Sequence, residues 1–176
     1  MDEPGRTEYE ALRATIRERG TVRSITLIVT LIAWAALEAA VLASWHPVVA
    51  SLLPLLVLVG GFETVFQLHV GVERVGRYLQ VAYEERGGHT GWETAAMAYG
   101  QAHPAAGSDA LFARVFIAAM LVNVLPVLDV PADRPVTLAL VILAHAAFGL
   151  RVLLAKRLAG RQRAEDLARF RDLLAR

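Results

Sequence analysis

The chemistry this chain can offer is confined to a few polar side chains set inside long apolar runs: Glu38, Glu63, Gln67, His69, Asn123 and His145. Ionisable groups at membrane depth cost roughly 2.5 to 3.5 kcal/mol each on insertion scales, so those present face a bundle interior or a partner. His69 precedes Glu73 by four residues and His145 precedes Arg151 by six, which puts the two imidazoles at similar depth on helices expected to run in opposite directions. One histidine from each of two facing helices is what a b-type haem requires as axial ligands. Arg74, Arg77 and Arg151 would then meet the propionates, and Gly71 and Gly149 would leave room for a flat macrocycle. The same histidines admit a plainer reading, in which each hydrogen-bonds a neighbouring helix with Glu63 or Glu73 as partner. They also admit a metal site of His69, Glu73 and His145, since Glu73 lies one helical turn beyond His69 on the same face. No motif fixes the spacing of any of these sets.

Glu38, Glu63 and Asn123 form a second group. Measured along their helices, all three fall near midplane, where a carboxyl can hold a proton or ligand for transport, or can be clamped to Asn123 as a neutral structural group. A third pattern continues from the membrane end of the second run. His69, Glu73, Arg77, Gln80 and Glu84 are separated by four, four, three and four residues and so share one helix face. The ordinary meaning of such a stripe is a solvated face; the alternative is an aqueous path.

Other chemistries find no footing. There is no cysteine, so disulfides, thiolate metal sites and cysteine nucleophiles are excluded. Serine, histidine and aspartate do not converge on a hydrolase arrangement, no glycine-rich phosphate loop follows a strand, and no catalytic residue can be named. The segment Glu73-Arg74-Val75-Gly76-Arg77 has the Glu-Arg-x-x-Arg order of the trimeric membrane glutathione transferases. Here it leaves a span instead of leading into one, and the His and Asn that follow it there are missing, so the chain is assigned to no family.

The elements that must position these residues are four apolar runs at about 24–44, 48–72, 111–128 and 136–155, in a chain of 176 residues with 56% hydrophobic content and mean hydropathy +0.45. A helix needs roughly 20 apolar residues to cross a bilayer core of about 30 Å, and lipid leaves the backbone no other partner. Of the 18 Lys and Arg residues, only Arg134 falls on the far side of four alternating spans. That bias predicts both termini and the central loop to be cytoplasmic, with short far-side connections at Trp45 to Pro47 and Asp129 to Pro135. It also explains the basic residues without nucleic acid. Met1 to Gly20 carries five acidic residues and no apolar core, unlike a signal peptide, so the first run is expected to stay as a span in a bacterial inner membrane.

The expected architecture is an all-α integral membrane protein: a four-transmembrane-helix antiparallel bundle with an extended second helix and short amphipathic cytoplasmic helices at both termini. Residues 1–21 form the amino-terminal amphipathic helix, stopped by Gly20; residues 22–155 form the membrane domain with a loop at 87–109; residues 156–176 form a basic amphipathic tail suited to an anionic lipid surface. The second helix, Val48 to Glu85, would be roughly 57 Å long and outrun the bilayer. Ser108-Asp109 reads as the cap of the third span, and within the central loop Trp92 to Gln101 reads as a short helix, with His89 and His103 flanking Trp92 and Glu93. The leading functional expectation is a membrane module whose polar interior binds or conducts a small ligand, ion or proton, as a homo-oligomer or beside a membrane partner. A haem b electron-transfer subunit and an intramembrane metal-dependent enzyme are the alternatives.

Overall fold

The computed structural model describes residues 3–43, 48–88, 90–103, 109–125, 127 and 135–176. The expected connections at Trp45 to Pro47 and at 129–134, together with His89, Ser108 and Pro126, lie outside them. Among the described residues the chain is all-helical. Helix α1 is Glu3–Ala43, α2 is Leu52–Leu79, α3 is Trp92–Ala102, α4 is Ala113–Val124 and α5 is Pro135–Ala175. A 3-10 turn, Val48–Ser51, leads into α2, and a π-helical segment, Gln80–Glu85, extends it.

Three of these helices are long and apolar enough to cross a membrane: those carrying the first, second and fourth runs. The third run differs from expectation. Its described helix has 12 residues, about 18 Å, short of a bilayer core. The described helix opens after Phe112, three residues beyond Asp109. Phe112, with φ 52°, sits in the left-handed region, and its carbonyl accepts from Val115 and Phe116 N–H to begin α4. Such a φ is strained for a bulky residue.

The termini also differ. Gly20 does not stop the first helix: α1 is continuous over 41 residues. Nothing opposes continuity there, since a lone glycine costs a helix only about 1 kcal/mol against alanine, and charged residues on either side supply no cap. The carboxyl-terminal tail is likewise the end of a continuous 41-residue α5, which opens on Pro135, the position where proline's fixed φ favours a helix start.

The chain divides into two compact units. One comprises Ser24–Phe66 and Leu111–Lys156; the other comprises Met1–Arg23, Gln67–Ala110 and Arg157–Arg176. Helices α1, α2 and α5 contribute to both. The apolar unit is centred on Phe62, which meets Phe116 and Phe148 edge-on at 5.2 and 6.0 Å, with Leu58, Val65, Val141 and Val152 buried around them. Gly61 lets α1 approach α2 closely, because a Cβ there would collide with the Thr30 side chain. The charged unit is organised by ion pairs along α2 and α5. Arg163 meets Glu73, Arg74 meets Asp166 and Arg171 meets Glu85.

In these pairs residue numbers rise together, so α2 and α5 run parallel within this unit. This corrects the expectation of opposite directions. The second and fourth of four alternating crossings point the same way, and nothing in an apolar run reveals which run is its neighbour.

Candidate functional site

In the apolar unit one amide ties together four elements. Asn123, fully buried on α4, donates from Nδ2 to the Ser51 carbonyl at 3.0 Å and to His145 at 2.8 Å; its Oδ1 accepts from the Trp34 indole at 3.2 Å. His145 Nδ1 lies 2.8 Å from the Val141 carbonyl. A carbonyl can only accept, so the proton is on Nδ1, leaving Nε2 to accept from Asn123. Both imidazole nitrogens, both N–H groups of the amide and its oxygen are thereby engaged. Axial ligation of a haem by His145 would take Nε2 away from Asn123.

Glu63 and Arg151, read from the sequence as parts of different sites, face each other. Arg151 Nε and Nη2 each lie 2.8 Å from a carboxylate oxygen of Glu63, a two-pronged pair. The guanidinium also lies over the Phe66 ring, 4.4 Å from its centroid, and 5.6 Å from that of Phe62. Glu63 is thus bound to a cation of its own unit.

Glu38 stands apart. It is 4% exposed on α1, and its Oε2 has no hydrogen-bond partner among the described residues. Thr30, Trp34 and Glu38 recur every four residues and share one face of α1. Glu38 therefore follows, one turn on, the indole that reaches Asn123. The expected meeting of Glu38, Glu63 and Asn123 is replaced by Asn123 with His145, Glu63 with Arg151, and a Glu38 carboxyl whose Oε2 has no donor among the described residues.

In the charged unit the stripe from His69 to Glu84 is not a solvated face. His69, Arg77, Gln80 and Glu84 are buried, and Glu73 is half-buried. The Arg23 guanidinium donates to His69 Nδ1 at 3.2 Å. Arg77 donates to Gln80 Oε1 at 2.5 Å and pairs with Glu93 at 3.3 Å; the other oxygen of Glu93 takes Arg13 at 2.7 Å. Glu84 accepts from the backbone N–H groups of Glu93 and Thr94, both at 2.8 Å, and from the Thr94 hydroxyl at 2.6 Å. It caps α3 from another helix, which suits the positive end of the helix dipole. The residue before α3 is Gly91, whose missing Cβ leaves the space that the Glu84 carboxylate fills. Beyond the apolar run, the Arg171 fork holds the Glu85 carboxyl below its ordinary value, against the opposing effect of burial.

Among the described residues no three His, Asp or Glu side chains gather closely enough to hold a metal ion. The sequence did not single out Trp34, Ser51, Thr94 or Arg163, which complete these networks. Trp34 had a legible signal, as an indole N–H inside an apolar run that must find an acceptor. An all-helical chain with three membrane-length apolar helices has the makings of a membrane-spanning protein. In comparisons with family models, curated proteins and solved structures, nothing matches this chain.

Proposed function

We propose that this chain is a small polytopic inner-membrane protein whose polar interior takes up a proton or a small cation at Glu38. The observation that carries the reading is the Glu38 carboxyl, buried in the apolar unit with one oxygen lacking any donor among the described residues. An ionised carboxylate without donors in an apolar setting is costly, so the group is neutralised by what comes to it, a proton or a cation. The other interior groups are committed elsewhere: Glu63 to Arg151, and Asn123 to His145, Trp34 and Ser51. In this reading the region of α4 completes a fourth crossing, and both termini are cytoplasmic, as the Lys and Arg bias favours.

The test is proton flux into proteoliposomes under an imposed pH gradient, alongside labelling with a hydrophobic carbodiimide, which adds to protonated carboxyls. The wild-type chain is expected to conduct and to carry the adduct on Glu38; Glu38→Gln is expected to lose both while keeping its melting temperature. Flux equal to that of empty vesicles together with an unlabelled Glu38, or flux unchanged in the variant, would sink the proposal.

A further inference from the structure

Of the arginines of the charged unit, Arg6, Arg13, Arg74, Arg77, Arg163, Arg169, Arg171 and Arg176 each hold an acidic partner, while Arg23 and Arg86 bond His69 and the Leu174 carbonyl. Arg17 and Arg19 on α1 and Arg157 and Arg161 on α5 are exposed and form no ion pair among the described residues. Arg19, Arg157 and Arg161 are not scattered. Arg19 lies against α2 at Gly71, where the absent Cβ leaves room for its guanidinium, and Arg163 meets α2 two residues further on, at Glu73. Arg161 and Arg157 precede Arg163 by two and six residues, or about 3 and 9 Å along α5.

The surrounding surface changes character at this level. On α5, Leu150 and Leu154 are 57% and 38% exposed, and Arg157 and Arg161 continue the same helix face at spacings of three and four. On α1, Val22, 41% exposed, follows Arg19 by three residues. An apolar face that passes within one turn into unpaired guanidinium groups presents its aliphatic part to acyl chains and its cations to the phosphates above them.

We propose that Arg19, Arg157 and Arg161 form a basic collar that binds the phosphate groups of anionic phospholipids. On α5 the acids nearest in sequence are taken: Glu165 by Arg169 and Asp166 by Arg74. This moves the lipid contact from the carboxyl-terminal tail expected from sequence to the start of the charged part of α5. The far tail is occupied with α2, through Arg171 on Glu85 and Arg86 on the Leu174 carbonyl.

The experiment uses the full chain in bilayers of phosphatidylcholine doped with spin-labelled phosphatidylglycerol or spin-labelled phosphatidylcholine, and reads the relative association of the two labels. The wild type is expected to prefer the anionic label several-fold, and the preference is expected to weaken as salt rises. Arg19→Gln/Arg157→Gln/Arg161→Gln is expected to lower it at least about threefold, while the triple Lys variant retains it. Arg169→Gln/Arg176→Gln, in the tail, is expected to leave it unchanged. A preference untouched in the triple Gln variant, or lost in the tail variant, would overturn the collar. Loss of preference on adding inorganic phosphate at matched ionic strength would overturn the lipid as its ligand in favour of soluble phosphate. Should the triple Gln variant fail to fold, the salt dependence and the tail variant still decide: a salt-independent preference refutes the proposal.

Discussion

Asn123 donates to His145 Nε2 across 2.8 Å, and that bond settles the imidazole as the tautomer with its proton on Nδ1. Removing the amide leaves the Trp34 N–H and the Ser51 carbonyl without their partner as well. Asn123→Leu is therefore expected to lower stability by about 1 to 3 kcal/mol, read as a loss of melting temperature in nanodiscs. A double-mutant cycle with His145→Phe isolates the pair. Interhelical hydrogen bonds in membranes average about 0.6 kcal/mol and reach about 1.7, so a coupling energy of zero would mean that the two side chains act independently.

Glu63→Gln leaves the Arg151 guanidinium with half its fork and no countercharge in the apolar unit. Breaking one partner of a partly buried pair costs more than removing both. Glu63→Gln is expected to destabilise more than Glu63→Gln/Arg151→Met, by a margin readable as melting temperature. Equal losses in the two variants would show the pair to be a solvent-screened contact only.

Glu84→Ala removes the three bonds that start α3. Loss of a cap costs about 0.5 to 2 kcal/mol, and here it falls on one short helix with no buried residue of its own. Hydrogen exchange at Glu93 and Thr94 is expected to accelerate about two- to thirtyfold, with α2 unchanged. Gly91→Ala is expected to do the same by pushing the carboxylate away. Protection unchanged in both variants would mean that α3 is held through Glu93 and Arg77 alone.

The Arg171 fork depresses the Glu85 carboxyl. A depressed carboxyl adds stability above its unfolded value, about 4.3, and loses it as pH falls through the lower folded value. Both partners are largely open to water, so the contribution to global stability is small. The docking of the last turns of α5 is expected to weaken only below about pH 4.3, seen as faster exchange at 168–174 after correction for intrinsic rates. Glu85→Gln should remove that pH step; a step that persists in the variant would belong to another group.

What the sequence revealed and what it hid have one physical cause. Apolar run length is local, and it located three membrane-length helices at the first, second and fourth runs. Periodicity is also local: it put His69, Glu73, Arg77, Gln80 and Glu84 on one face. It carried no information on whether another element covers that face. The covering partners are Arg23, Arg163 and Glu93, the first two 46 and 90 residues away from the side chains they meet, and Glu93 sits on α3, a short helix legible at Trp92 to Gln101 whose packing partner was not. The same limit separates Glu63 from Arg151 and Asn123 from His145. Each was marked as polar in an apolar setting, correctly, and each was given the wrong partner because depth along a helix does not say which faces meet.

The adjacent glycines of α2 make the sharpest local test of this packing, because the sequence cannot tell them apart and the structure does. A Cβ on Gly60 meets nothing within 4 Å, whereas one on Gly61 runs into the Thr30 side chain of α1. Thr30 is 7% exposed and cannot swing into open space. Gly60→Ala is expected to be neutral or stabilising by up to about 1 kcal/mol, from helix propensity. Gly61→Ala is expected to cost about 1 to 3 kcal/mol through overpacking. Thr30→Ala combined with Gly61→Ala should recover part of that loss, since it removes both γ atoms of the threonine but keeps its Cβ, 2.7 Å from the added methyl. Melting temperatures of the three variants and the wild type in one lipid composition decide it: if Gly60→Ala and Gly61→Ala behave alike, α1 does not pack on α2 at Gly61, and the face of α1 that carries Thr30, Trp34 and Glu38 loses its anchor.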